Sequence, residues 1–178
     1  MSFPAVFLDR DGVLNEPAIR EGRPFPPGRL EEVRVLPGVR QACHDLTGAG
    51  LKLVCVSNQP DIARGTQDPE VVSAINAHLL EVLGLDDIVT CPHDDADECR
   101  CRKPLPGMLL DAADRLNLDL SRSVTVGDRW RDIDAGRAAG TLTVYVDRGY
   151  REPAPEGPDL TVRELKEAVE WIIEKLRR

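Results

Sequence analysis

Short apolar runs recur along the chain: Ala5 to Leu8, Leu51 to Val56, Asp87 to Cys91, Ser123 to Gly127 and Thr141 to Val146. They are of strand length, rich in Val and largely without polar alternation, which is the pattern of parallel strands buried on both faces. Between them the apolar spacing changes to that of helices. Val39, Ala42, Cys43 and Leu46 fall on one face before Gly50, and Leu109, Ala112, Ala113 and Leu116 repeat the spacing. Asp68 before Pro69 reads as a helix cap followed by proline at the first helical position; Val71, Ile75 and Leu79 then share a face, and Gly84 is the stop. Leu165, Val169, Ile172, Ile173 and Leu176 predict a last amphipathic helix.

Strand and helix therefore alternate, which predicts an α/β domain with a parallel central sheet and helices on both faces. Its site is expected at the carboxyl ends of the strands. Two segments resist the pattern, from Asn15 to Gly38 and from Tyr150 to Asp159. Their Pro and Gly content predicts ordered loops or flaps.

Length adds that residues 1–178 fit one domain with a real core. Lys and Arg number 23 against 31 Asp and Glu, a formal net charge of -8. No general attraction to nucleic acid or an anionic membrane is expected, so an anionic substrate must be met by local basic groups. The start lacks the pattern of a signal peptide, and no run approaches the ~20 apolar residues of a membrane span. The expectation is a soluble, cytoplasmic monomer acting on a small molecule.

Chemistry enters at the ends of the apolar runs. Asp9 and Asp11 follow the first run, with Gly12 permitting a sharp turn. Such a pair can bind Mg²⁺, attack a phosphoryl group or transfer protons, although an acidic turn in solvent gives the same pair. Ser57 and Asn58 end the second run, and Asp128 ends the fourth, with Asp132 one helical turn on. Lys103 offers a point charge and Arg102 a planar fork for phosphate.

Five cysteines are present, three of them between Cys91 and Cys101 beside His93. Cys91, His93, Cys99 and Cys101 make a complete Cys₃His set in residues 91–101, which suits a closed, structural zinc site in a reducing compartment. The acids Asp94, Asp95, Asp97 and Glu98 read as solvated loop residues. Cys43 and Cys55, in apolar stretches, read as inert core.

The ordered set "DRDGVLN", "SNQ", "RKPLPGM" and "GDRWRDIDAG" resembles the four motifs of the haloacid dehalogenase (HAD) phosphatases and spans most of the chain. The resemblance implies a Rossmann-like fold without a large cap domain, dependence on Mg²⁺ and an aspartyl-phosphate intermediate. It implies that Asp9 is the nucleophile and Asp11 the general acid and base, with Ser57 and Lys103 on the phosphate. Asp9, Asp11 and Asp128 would hold magnesium, and Asp132 would orient. The zinc loop narrows the resemblance to the branch that contains heptose bisphosphate phosphatases and histidinol-phosphate phosphatases. "SNQPDIARG" and "RKPLPGM" resemble the heptose group, whereas the short zinc loop and Pro60-Asp61 depart from it. The heptose resemblance implies substrate contacts at Asn58, Gln59, Arg102, Arg129 and Arg20. A histidinol-phosphate phosphatase and a zinc-stabilised binding protein without catalysis are the alternatives.

Overall fold

The computed structural model describes residues 2–177. Strand β1 (Ala5–Leu8) is buried along its whole length because it sits in the middle of a sheet. It pairs in parallel with β4 (Lys52–Asn58) on one side and β6 (Val124–Gly127) on the other. The six-stranded sheet has the order β5-β4-β1-β6-β7-β8, with β5 at Asp87–Cys91, β7 at Leu142–Val146 and β8 at Leu160–Val162. All its pairings are parallel. After β5 the chain returns across β1 to start the other half, so the order reverses at β1. A crevice opens at such a reversal, outside the carboxyl ends of the strands.

The pleat sends alternate side chains of each strand into two cores. Val6 and Leu8 of β1, with Leu53 and Cys55 of β4, face α1 (Val39–Gly48), α2 (Pro69–Leu83) and α5 (Leu165–Leu176). Ala5, Phe7, Val54 and Val56 face the opposite way, onto α3 (Gly107–Leu116) and Ala135 of α4 (Trp130–Ala139). Burying a Leu or Ile side chain contributes about 1.5–3 kcal/mol, so these two layers fix the sheet that carries the site.

The caps expected of α2 are present: Asp68 accepts from the Glu70 amide at 2.8 Å, and Gly84 closes the helix at φ 64°. Its buried stripe is Val72, Ile75, Leu79 and Leu83, one residue out of step at the start from the expected Val71, which is only partly buried. The segment from Asn15 to Gly38 contains an antiparallel hairpin, β2 (Ala18–Arg20) with β3 (Arg23–Phe25), and the segment from Tyr150 to Asp159 is irregular. Among the described residues no helix is long and apolar enough to cross a membrane.

Candidate active site

Asp9 leaves the sheet at the end of β1, its amide still bonded to the Val126 carbonyl at 2.9 Å. The chain then turns sharply through Gly12 at φ 98°, where a Cβ would lie 1.8 Å from Asp128 Oδ2. Only glycine allows the turn to approach the end of β6 this closely. Asp9, Asp128 and Asp132 are thus gathered with ligand atoms within 4.8 Å of one another.

Lys103 reaches this cluster from the loop before α3, and it is 1% exposed. Its ammonium donates to Asp9 Oδ1 at 2.6 Å and to the Val56 carbonyl at 2.7 Å, and it pairs with Asp132 Oδ1 at 2.6 Å. Burial opposes its charge, but Asp132 and Asp9 outweigh burial and hold the amine above the ordinary lysine range. Burial pushes Asp9 up from 3.8 to about 7, opposed by Lys103 and assisted by Asp132 and Asp11. Burial likewise raises Asp128 well above the carboxylate range, with Asp9 and Asp132 adding to it.

Fully ionised, three carboxylates against one ammonium would carry two negative charges in excess, a state that burial opposes by raising Asp9 and Asp128. Asp128 Oδ1 is also buried without a hydrogen-bond partner. Hard oxygen donors, a charge deficit of two and an orphaned acceptor fit a divalent cation such as Mg²⁺. Asp11 is not part of this gathering. Its carboxylate is held by Asn15 (2.9 Å to Oδ1), Gln59 (2.9 Å to Oδ2) and Arg10 (3.2 and 2.9 Å to Oδ2).

Arg10 is a residue that the sequence reading passed over. Its side chain is fully buried, and its other terminal nitrogen donates to Asn76 of α2 at 2.9 Å, which in turn donates to Thr90 of β5. This chain of hydrogen bonds fixes Asp11 from behind. The one sequence signal was the position of Arg10 between the two aspartates.

Asp9, Asp132 and Lys103 of this cluster line an open cavity of about 520 Å³. Ser57 and Asn58 line it, and Asn58 exchanges two 3.0 Å hydrogen bonds with the backbone of Lys103. Gln59 does not face the cavity: it is 1% exposed and bonded to Asp11 and Ser57. Arg20 is also absent from the cavity wall, lying over the Phe25 ring at 5.2 Å. The wall instead carries Arg23, Arg64, Arg102, Arg129, Arg131 and Arg151. Arg129 is paired with Glu152, and Arg102 donates to Asp95 at 2.7 Å. Arg64 binds Asp94 through two nitrogens at 2.7 and 2.8 Å, so Asp94 and Asp95 are arginine partners rather than free solvated acids.

Beyond the cavity rim, Cys91, His93, Cys99 and Cys101 converge. Cys101 Sγ lies 3.1 Å from Cys91 Sγ, 3.4 Å from Cys99 Sγ and 3.3 Å from His93 Nδ1. A tetrahedral zinc with thiolate arms of about 2.3 Å sets its ligand atoms ~3.7 Å apart, close to what is found. Three thiol donors and an imidazole converging in this way fit zinc. By contrast, Cys43 and Cys55 are core residues, and burial raises both thiols, that of Cys43 to about 12.

A doubly wound sheet with clustered carboxylates and a buried lysine at its switch point is the frame of a metal-assisted hydrolase. Residues 27–140 match the family model "haloacid dehalogenase-like hydrolase", and the chain belongs to that family. It is 39% identical to the D-glycero-D-manno-heptose-1,7-bisphosphate 7-phosphatase of Thermosynechococcus vestitus, over 97% of this chain and 96% of that one. Its identity to the Yersinia pestis enzyme named for the β-anomer is 34%, covering 98% and 92%. The crystal structure of the D,D-heptose 1,7-bisphosphate phosphatase of B. bronchiseptica with magnesium and phosphate is similar at a TM-score of 0.81. It shares 34% identity with this chain, covering 97% of it and 99% of the other.

Proposed function

We propose that the protein is a magnesium-dependent phosphatase that removes the 7-phosphate of D-glycero-D-manno-heptose 1,7-bisphosphate. The observation that carries this reading is the buried set of Asp9, Asp128, Asp132 and Lys103 beneath an arginine-lined cavity. The likeness to enzymes named for that substrate, nearly end to end, supports the choice of sugar.

Asp9 and Asp128 would hold the cation, which supplies charge neutralisation to the phosphoryl oxygens and to the carboxylates. Lys103 occupies Asp9 Oδ1, so the other oxygen is the one to attack phosphorus. The P–O bond to the sugar breaks as the aspartyl phosphate forms, and Asp11 gives a proton to the departing oxygen. Asp11 then takes a proton from water as water attacks the acyl phosphate, which frees Asp9 and releases inorganic phosphate. The Ser57 hydroxyl would hold a phosphoryl oxygen, and the Lys103 ammonium would do so by exchanging one of its three present partners.

Residues 1–178 would act as one domain and as a monomer, the candidate residues converging at one edge of a single six-stranded sheet. Zinc binding by three thiolates needs them reduced, which suits a cytoplasmic location. The test is kcat/KM for the heptose bisphosphate and for histidinol phosphate under the same Mg²⁺. At least a tenfold preference for the bisphosphate is expected, about 1.4 kcal/mol in transition-state binding. Preference for histidinol phosphate overturns the substrate, and turnover of neither substrate nor p-nitrophenyl phosphate overturns the enzyme. Asp9→Asn should keep the fold and lose turnover by orders of magnitude.

A further inference from the structure

The irregular segment after β7 is fastened to the site by its side chains. Arg148 Nε donates to the Gly12 carbonyl at 2.8 Å, and Glu152 pairs with Arg129. Between them the Tyr150 hydroxyl donates to Asp128 Oδ2 at 2.8 Å. Asp128 is 1% exposed, and its Oδ1 has no partner. The Gly12 turn closes over both groups, since a Cβ there would lie 1.8 Å from Asp128 Oδ2 and 2.9 Å from the Tyr150 hydroxyl.

We infer that Tyr150 is a positioning residue for the cation site: by occupying Oδ2 it turns Oδ1 of Asp128 toward the metal. The inference rests on the reading that Asp9 and Asp128 hold Mg²⁺. A carboxylate can rotate about its Cβ–Cγ bond and present either oxygen or both. Here one oxygen is committed to a phenol O–H, so the rotation is fixed with the unpartnered oxygen left to a cation. Hydrogen-bond partners that orient a ligating side chain in this way commonly change metal affinity by roughly 10–100-fold when removed. Tyr150 lies 22 residues beyond Asp128 and outside the motifs, so the segment after β7 adds one residue to the metal site.

Tyr150→Phe removes only the hydroxyl. Titration of Mg²⁺ alone into the full-length wild type and variant, followed by calorimetry, should give a dissociation constant raised roughly tenfold or more in the variant. Turnover of p-nitrophenyl phosphate should show a matching rise in the Mg²⁺ needed for half activation, with kcat recovered at saturating Mg²⁺. Zinc content by elemental analysis should be unchanged. If the variant melts lower, the titration is read well below the transition, where it is folded. Equal Mg²⁺ affinity in wild type and variant overturns the inference and leaves the proposed function standing. A kcat loss that excess Mg²⁺ does not restore, at unchanged affinity, also overturns it. A wild type that binds no Mg²⁺ overturns the metal reading itself, and the inference with it.

Discussion

Asp9 is asked to be an anion in a place that disfavours anions. Burial pushes its carboxyl up from 3.8 to about 7, and Asp128 is raised by burial and by its acidic neighbours. An acid whose folded pKa is raised binds its proton more tightly folded than unfolded. Rising pH through that window, from about 3.8 to about 7 for Asp9, therefore removes stability. The metal-free protein is expected to melt at a lower temperature near pH 7.5 than near pH 5, the direction set by this linkage. Added Mg²⁺ should raise the melting temperature more at the higher pH, because only the ionised cluster attracts it. An equal or larger Mg²⁺ shift near pH 5, by calorimetry, would show that the carboxylates are not its site.

The loop between β5 and α3 is where one element serves two sets of residues. It carries three of the four candidate zinc donors, with Cys91 at the end of β5 as the fourth, and then delivers Arg102 and Lys103 to the cavity. The backbone is packed closely, since a Cβ on Gly107 would lie 2.2 Å from the Arg100 carbonyl oxygen. Cys101 touches the other three donors. Cys101→Ser should therefore lose about one zinc per chain by elemental analysis, the count of one four-ligand site, and lower the melting temperature. Phosphatase activity should fall with it, because Lys103 is two residues away. Zinc retained in full with unchanged melting would exclude this ligand set. These donors were legible because all four lie within eleven residues and their types suffice. Asp9, Lys103 and Asp128 were legible for a similar reason, each standing at the end of a strand-like run or beside a recognisable motif. Tyr150 and Glu152 were not, because their segment has no periodicity and its partners, Asp128 and Arg129, lie about twenty residues earlier. Gln59 and Arg20 were placed by resemblance, which gives position along the chain but not the direction of a side chain.

Across the molecule acids outnumber bases, while the cavity wall nearly balances them. The chain carries a net -8, and the cavity wall mixes both signs: six arginines and Lys103 stand among Asp9, Asp11, Asp61, Asp95, Asp132 and Glu152. A doubly phosphorylated sugar must therefore be held by arginines released from these acids rather than drawn in by a net field. Glu152 competes with such a substrate for Arg129, because the two already form a pair. Glu152→Gln should lower KM for the bisphosphate several-fold with kcat little changed, a gain of order 1 kcal/mol for a part-exposed ion pair released. A higher KM would instead make Glu152 a support that Arg129 needs. A zinc tetrahedron on these four donors would have a further consequence for how the enzyme can diversify. It would anchor both ends of the span from His93 to Cys99, and that span carries Asp94 and, at the cavity rim, Asp95. Residues 94–98 can then be lengthened, shortened or rewritten as a graft between two fixed posts, without shifting the lysine that follows. A library confined to those positions should change which phosphate esters are preferred while p-nitrophenyl phosphate turnover persists, so recognition and chemistry can be inherited or engineered as separate parts.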